Sequence, residues 1–540
     1  MAAGAADYDA LRAAFRWDIP ARCNIAHAAV DARAARDGDR VALLRYGDDG
    51  SLAPTTYAAL KAASDKLAHA LRERGVGRGD RVALLLPQSV EVVVGHLAAY
   101  KLGAIAVPLA ALFGIDALRY RLATAGAKAM LTDAAGLARI GEIRGDLPDL
   151  AVMLCTDGAD GATEGLWEAT ESYDAPFPAA ETGPDDPALM IFTSGTTGQP
   201  KGALHGHRVL AGHMPGIGFT HGPIPEPGDR FWTPSDWAWA GGLLNCLLPS
   251  LTLGIPVVFG PFRPFDPEAA FALMAKAGIR NTFLPPTALR MMRAIDNPRA
   301  KFDLNLRTIG AAGESLGRET WEWAREQLGL PVNEFYGQTE CNYVLGSSEA
   351  YGVARAGAIG RPIPGHDVML VDDEGKAVAP GEVGEIAIQR GDRAMFLEYW
   401  DDPEATAAKF RGDRMLTGDL ASVDGDGYFH FLGRNDDVII SSGYRIGPSE
   451  IEDCLATHPA VAMAAVVGKP DALRTEIVTA FVALRPGHAP SPILAEEIRL
   501  HVRARLSAAE YPREVTFVEE IPLTTSGKVI RRHFRPARDG

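Results

Sequence analysis

Between Arg81 and Thr132 the chain alternates short apolar runs with helical patterns, and this rhythm constrains the fold more than any other feature. Arg81 to Leu86 is predicted as a strand, Val90 to Leu102 has helical spacing, and Ala104 to Leu109 is the next strand. A helix near Asp116 to Ala125 and a strand over Ala129 to Thr132 follow. The βαβαβ order predicts a parallel sheet with helices on its faces. A similar rhythm returns from Phe231 to Ile309, with a helix over Asp266 to Gly278 and a strand over Asn281 to Leu284. From Gly357 to Phe431 the strands shorten and are punctuated by Gly, Pro and Asp, as in Asp367 to Val371 and Gly384 to Ile388. That texture predicts a small antiparallel barrel or sheet.

At 540 residues the chain exceeds a single core, and its length suggests about three to four domain-sized units. After Gly433 the polar run Arg434-Asn435-Asp436-Asp437 precedes a further α+β pattern, which places a boundary there. The fold class is therefore α/β. A large N-terminal domain over 1–433 holds two helix-flanked sheet subdomains and a β-rich, barrel-like part at 357–433, followed by a small α+β domain over 438–540.

The formal net charge of −15 argues against non-specific nucleic-acid binding. An anionic substrate must then be met by local positive charge. Screening allows this, because it confines distant charge to about 8 Å at physiological salt. The five cysteines (Cys23, Cys155, Cys246, Cys341, Cys454) are far apart with no CxxC pair, which indicates reduced thiols, no zinc site and a cytoplasmic location. The N-terminus, with Asp7 and Asp9 among alanines, does not fit a secretory signal. Trp237 to Phe262 carries no charge and is long enough to span a bilayer, yet Asn245, Pro249, Pro256 and several glycines interrupt it. The expectation is a buried helix, then a strand over Pro256 to Phe259, and no membrane span.

One loop carries the strongest functional signal. Residues 193–202 read Thr-Ser-Gly-Thr-Thr-Gly-Gln-Pro-Lys-Gly and follow the apolar run Leu189 to Phe192. Gly195, Gly198 and Gly202 allow close backbone approach, while Thr193, Ser194, Thr196, Thr197 and Lys201 bring hydroxyls and one cation. At the carboxyl end of a strand, such a loop suits a nucleotide triphosphate. It is not the common P-loop. Counting from Gly195, Pro200 stands at the second glycine position and Gly202 replaces the magnesium-binding hydroxyl.

Further segments join this loop. Glu334-Phe335-Tyr336-Gly337-Gln338-Thr339-Glu340 offers aromatic, hydroxyl and carboxylate groups, and Leu416-Thr417-Gly418-Asp419 places an acid after a tight turn. Gly433-Arg434, Ser442-Gly443-Tyr444-Arg445 and Pro522-Leu523-Thr524-Thr525-Ser526-Gly527-Lys528 complete the set. In order and spacing these segments resemble the adenylate-forming superfamily from Asp39 to Arg535. Gly313-Glu314-Ser315-Leu316, Tyr336 to Glu340 and Tyr511-Pro512-Arg513 are most similar to short- and medium-chain acyl-CoA synthetases.

The resemblance implies two half-reactions with ATP, Mg2+ and coenzyme A. A carboxylate attacks the α-phosphate to give acyl-adenylate and pyrophosphate, and the coenzyme A thiolate then displaces AMP. It implies that Thr193, Ser194, Gly195, Thr196, Thr197 and Lys201 grip the phosphates. Thr339 would bond the α-phosphate and Glu340 would hold magnesium. Tyr336 would stack on adenine beside Gly313, Glu314 and Ser315, with Glu334, Gly337 and Gln338 in the same wall. Asp419 would take both ribose hydroxyls, Arg434 would reach ribose or phosphate, and Arg445 would reach the α-phosphate. Lys528 would bridge the carboxylate and the α-phosphate, where two unit charges about 4 Å apart repel by about 4 kcal/mol at an effective dielectric of about 20.

The small domain would be mobile, swinging about a hinge at 434–437 centred on Asp436 to bring Gly443 to the coenzyme A tunnel. The Pro-x-x-x-x-Gly-Lys pattern at Lys528 is acetylated in some relatives, implying a lysine acetyltransferase and deacetylase as partners. Acetate-specialised relatives carry tryptophan where Gly337 stands, so the acid is expected to be larger than acetate. Trp237 and Trp239 stand where relatives line the acyl site, Trp239 being the better candidate for pocket floor or wall, with core packing the alternative for both. Thr475 before Glu476 departs from the glycine common in relatives and bears on coenzyme A approach. Two other readings stay open: a ligase that loads a carrier-protein thiol, and an inactive nucleotide-binding protein.

Overall fold

The strands of the 81–132 rhythm all enter one sheet. In the computed structural model, which describes residues 7–159, 163–193, 199–261, 264–435, 437–441, 444–471, 474–506, 511–524 and 528–535, Ile105–Leu109, Arg81–Leu85, Ala129–Thr132 and Val152–Cys155 run side by side in parallel. Pro187–Phe192 joins parallel beside Ile105–Leu109. Gly202–Gly206 and then Glu398–Tyr399 extend this eight-stranded sheet antiparallel. Pro187–Phe192 and Gly202–Gly206, the strands on either side of 193–201, thus pair as an antiparallel hairpin. This differs from a P-loop, which leads into a helix and uses that helix's N-terminus.

A second, nine-stranded sheet is parallel in its middle, from Val332–Gln338 through Thr308–Ala311, Asn281–Phe283, Phe231–Trp232 and Val257–Phe259 to Val41–Tyr46. The largest core lies between the two sheets. It takes Leu84, Leu131 and Ile191 from one, Leu43, Phe259 and Phe335 from the other, and Leu67, Leu97 and Ile217 from helices Tyr57–Glu73, Val90–Leu102 and Arg208–His221. Each such side chain contributes about 1.5–3 kcal/mol on burial.

Helix Val90–Leu102 is apolar on nearly all sides, which suits it to this middle layer. It starts on Ser89, whose hydroxyl accepts from Val92 N, and stops at Gly103 at φ +68°. Its one buried cation, Lys101, pairs with Asp31 at 2.9 Å and Asp65 at 2.5 Å. Those pairs offset the desolvation that would otherwise exclude a lysine from the core.

The charge-free stretch folds as helical turns over Ala240–Gly242, Leu243–Leu247 and Leu248–Leu253, then the strand Val257–Phe259. Among the described residues, no helix is long and apolar enough to cross a membrane. The β-rich part is an antiparallel sheet of five strands: Val368–Val371, Val383–Gln389, Arg414–Val423, Phe410–Arg411 and Phe429–Arg434. The C-terminal part has its own five-stranded sheet, built on the hairpin Val461–Asp471/Thr475–Leu484 and covered by helices Pro448–Ala456 and Pro492–Arg505. The chain is a mixed α/β protein with a large N-terminal and a small C-terminal domain.

Candidate active site

The site builds on one hairpin of the nine-stranded sheet. Val332–Gln338 and Cys341–Gly346 pair antiparallel with Gln338 opposite Cys341, so Thr339 and Glu340 form its two-residue tip. Gly337 sits where the pairing register shifts. A Cβ there would lie 2.4 Å from Tyr343 N and 2.5 Å from the Asn342 Cα. Glycine is therefore required by the approach of the two strands. The missing side chain faces backbone, which weakens the expectation that it deepens an acyl pocket.

Asp419 is the hub of the first cluster. It is buried, and its Oδ2 accepts from the Tyr336 hydroxyl at 2.5 Å and from Gln338 Nε2 at 2.6 Å. Arg434, opposite Asp419 in the strand register, places Nη1 3.5 Å from its Oδ1. Burial, and after it the Asp419 carboxylate, pushes the Tyr336 phenol well above its ordinary pKa, so it stays a donor. Lys409, absent from the sequence expectations, approaches Gln338 Oε1 at 3.4 Å and Leu416 O at 3.2 Å.

Glu340 anchors the second cluster. It is buried, and its Oε1 accepts a short hydrogen bond from the Tyr399 hydroxyl. Lys201 Nζ stands 5.3 Å from the centre of the Tyr399 ring. The base of the 193–202 loop is closed by Thr193 N donating to Lys201 O at 2.8 Å and Lys201 N donating to Thr193 Oγ1 at 3.3 Å. Burial and Glu340 raise the Tyr399 phenol above its usual pKa.

A third group surrounds the Gly313 turn. Gly313 has φ +103°, a backbone conformation that favours glycine, with open space where a side chain would project. Glu314 is held by Arg290 and accepts from Thr287 Oγ1 at 2.6 Å. Ser315 Oγ donates to Asp453 Oδ2 at 3.2 Å, joining this turn to helix Pro448–Ala456 of the C-terminal domain. Glu334 is buried beneath, accepts from Leu316 N at 3.2 Å, and is raised to about 8 by burial.

Trp239 is half-buried, edge-on to Phe113 with ring centres 5.8 Å apart. Trp237 is fully buried against Phe259 and belongs to the core. Beside them, burial raises the Asp236 carboxyl to about 6 despite bonds from the Ala238 and Ala111 amides.

Tyr336, Gln338, Asp419 and Arg434 are thus brought together, as are Lys201 and Glu340. Lys528 is not joined to them: it is exposed, and its N donates to Thr524 Oγ1 at 3.0 Å. Ser194, Gly195, Thr196, Thr197, Asp436 and Gly443 lie outside the described residues, as does the side chain of Arg445. Tyr399, Arg290 and Asp453 were missed because each enters through pairing with a segment distant in sequence. For Tyr399 the only local signal was its short strand before Asp402-Pro403.

The N-terminal domain thus carries a buried carboxylate hub at Asp419 and a second carboxylate, Glu340, at a hairpin tip. Comparison with known proteins gives the class. Residues 30–400 match the model described as AMP-binding enzyme, and residues 450–528 match the AMP-binding enzyme C-terminal domain. The human mitochondrial acyl-coenzyme A synthetase ACSM4 is 34% identical over 552 residues, covering 98% of this chain and 93% of its own. The acetyl-coenzyme A synthetase of Bacillus subtilis (strain 168) is 35% identical over 519 residues, covering 95% and 90%. The crystal structure of the anthranilate CoA ligase AuaEII in complex with anthranoyl-AMP superposes with a TM-score of 0.87 at 28% identity, covering 96% of this chain and 97% of that one.

The chain belongs to the AMP-binding enzyme family, within the adenylate-forming superfamily. It is an AMP-forming acid–thiol ligase of the acyl-CoA synthetase type, using ATP, coenzyme A and a small carboxylic acid.

Proposed function

We propose that this ligase activates an acid larger than acetate, of short to medium chain or a compact cyclic acid, through an acyl-adenylate. The adenylate part of the reading rests on one observation: Tyr336, Gln338 and Arg434, each partly buried, gather around the buried Asp419 beside the Thr339–Glu340 tip; the size of the acid rests on the Trp239–Phe113 wall. A carboxylate so placed suits the ribose diol, which offers two donors. Tyr336 and the Gly313 turn flank space for the base. Thr339 and Lys201 face the phosphates, and Arg434 adds positive charge as the α-phosphate is attacked. Lys528 reaches the site by movement of the C-terminal domain about 434–437, and Gly443 serves the thioester step. Since the enzyme contributes no covalent intermediate, its work is positioning and charge stabilisation.

Magnesium fits the residues present. Glu340 Oε1 is engaged by Tyr399, and among the described residues no other side-chain hydrogen bond to this carboxylate is made. Among the described residues no group of three or more His, Cys, Asp or Glu side chains could cage a metal. A single carboxylate with phosphate oxygens and waters is a usual Mg2+ environment. When bound, the ion supplies neutralising charge to the phosphates.

Trp239 and Phe113 provide the apolar wall for the acyl group. Each methylene buried contributes about 0.8 kcal/mol, about fourfold in preference. Acid-dependent AMP release across linear acids from C2 to C12, with cyclohexanecarboxylate and benzoate, tests the reading. A graded optimum above acetate is expected; a sharp optimum at acetate would overturn the acid assignment.

A further inference from the structure

We infer that Tyr399 is a positioning residue of the ATP site, one that fixes the metal-binding carboxylate and the phosphate-loop lysine relative to each other. The inference rests on the roles proposed above for Glu340 and Lys201.

The geometry begins with a two-residue strand. Glu398–Tyr399 pairs antiparallel with Gly202–Gly206, Tyr399 opposite Ala203, and Trp400 N donates to Gly202 O at 2.8 Å. This backbone ladder ties Tyr399 to the strand that begins immediately after Lys201. On its other side Phe396 N donates to Glu340 O at 2.7 Å, so the same segment is tied to the hairpin tip.

The side chain repeats the connection. Its hydroxyl donates to Glu340 Oε1, and its ring lies 5.3 Å from Lys201 Nζ. The ring has little freedom. Tyr399 is 5% exposed, Phe396 packs edge-on with ring centres 5.0 Å apart, and Tyr399 N donates to Thr406 Oγ1 at 2.9 Å.

Two consequences follow from general chemistry. A hydrogen bond to one oxygen of a carboxylate fixes its rotamer and presents the other oxygen, and outer-shell partners of this kind commonly affect metal affinity by about 10–100-fold. An aromatic face under an ammonium holds it by electrostatic attraction without neutralising it, leaving the charge for phosphate. Tyr399 therefore joins two halves of the phosphate clamp that the sequence places more than a hundred residues apart.

The test uses the full-length enzyme with ATP but without acid, and Mn2+ as a spectroscopic substitute for Mg2+. Free Mn2+ is followed by electron paramagnetic resonance, and ATP binding in EDTA is measured separately by calorimetry. Tyr399→Phe keeps the ring and removes the hydroxyl. It is expected to weaken Mn2+ retention in the ternary complex about tenfold while leaving ATP affinity in EDTA within about twofold of wild type. Glu340→Gln should weaken retention at least as much, and the double variant should be no worse than Glu340→Gln alone. Tyr399→Leu, which also removes the ring, should in addition weaken ATP binding in EDTA.

If Glu340→Gln weakens retention and Tyr399→Phe does not, the Tyr399 inference is overturned and the Glu340 assignment survives. If neither variant changes retention, both are overturned. In Tyr399→Phe, a lowered melting temperature with both affinities falling together is the pattern of a merely structural tyrosine and would also refute the inference.

Discussion

Replacing Asp419 by asparagine keeps the hub's shape and removes its charge. In the wild-type chain Oδ2 accepts at 2.5 Å from Tyr336 and 2.6 Å from Gln338, while Oδ1 stands 3.5 Å from Arg434. A hydrogen bond to a charged group contributes about 1.5–3 kcal/mol, against about 0.5–1.5 kcal/mol for a neutral one. Each ribose hydroxyl bond should therefore weaken by about 1–1.5 kcal/mol, and the pair by about 2–3 kcal/mol. At about 1.4 kcal/mol per tenfold, ATP affinity should fall about 30- to 150-fold. The assay is acid-dependent ATP–pyrophosphate exchange titrated with ATP, with coenzyme A half-saturation as the internal control and thermal melting as the check on folding. A folded Asp419→Asn enzyme whose ATP half-saturation stays within about threefold of wild type would refute the ribose assignment.

Glu334 gives a pH signature. Burial raises its folded carboxyl to about 8, whereas the unfolded chain loses that proton near about 4.3. Between those values the folded state holds the extra proton, so stability falls as pH rises. Glu334→Gln should flatten the fall in melting temperature from pH 5 to 8, with a residual slope from Asp453, which is raised to about 7; an unchanged slope would contradict this. Gly337→Ala should cost about 1–3 kcal/mol and lower the melting temperature, because the atoms its Cβ meets are backbone and cannot yield cheaply; an unshifted melt would count against the close-approach explanation. Lys528→Ala should abolish adenylation yet still convert supplied acyl-adenylate to thioester, and equal loss of both steps would exclude a lysine that serves only the first.

Much of this molecule was legible because its chemistry is local in sequence. The strands at 81–85, 105–109 and 129–132 follow from runs of apolar residues broken by helical spacing, which a parallel sheet requires. Thr339 and Glu340 could be read as neighbours of Tyr336 and Gln338 because one hairpin carries them all. What escaped depends on pairing between distant segments. The ties of Asp419 to Tyr336, of Tyr399 to Glu340 and of Asp453 to Ser315 each join residues set by sheet order or domain contact, which no local pattern encodes. Gly337 shows the opposite difficulty. A glycine in a motif invited a reading about pocket depth, but the strand geometry supplies a packing reason for it.

The most direct measurement is exchange of labelled pyrophosphate into ATP with the enzyme, an acid from the C4 to C8 range and no coenzyme A. If the clustered carboxylates and the loop lysine form one adenylating centre, label enters ATP only when the acid is present, and added coenzyme A then releases AMP and thioester. Absence of acid-dependent exchange until coenzyme A is supplied would contradict an acyl-adenylate made at this site.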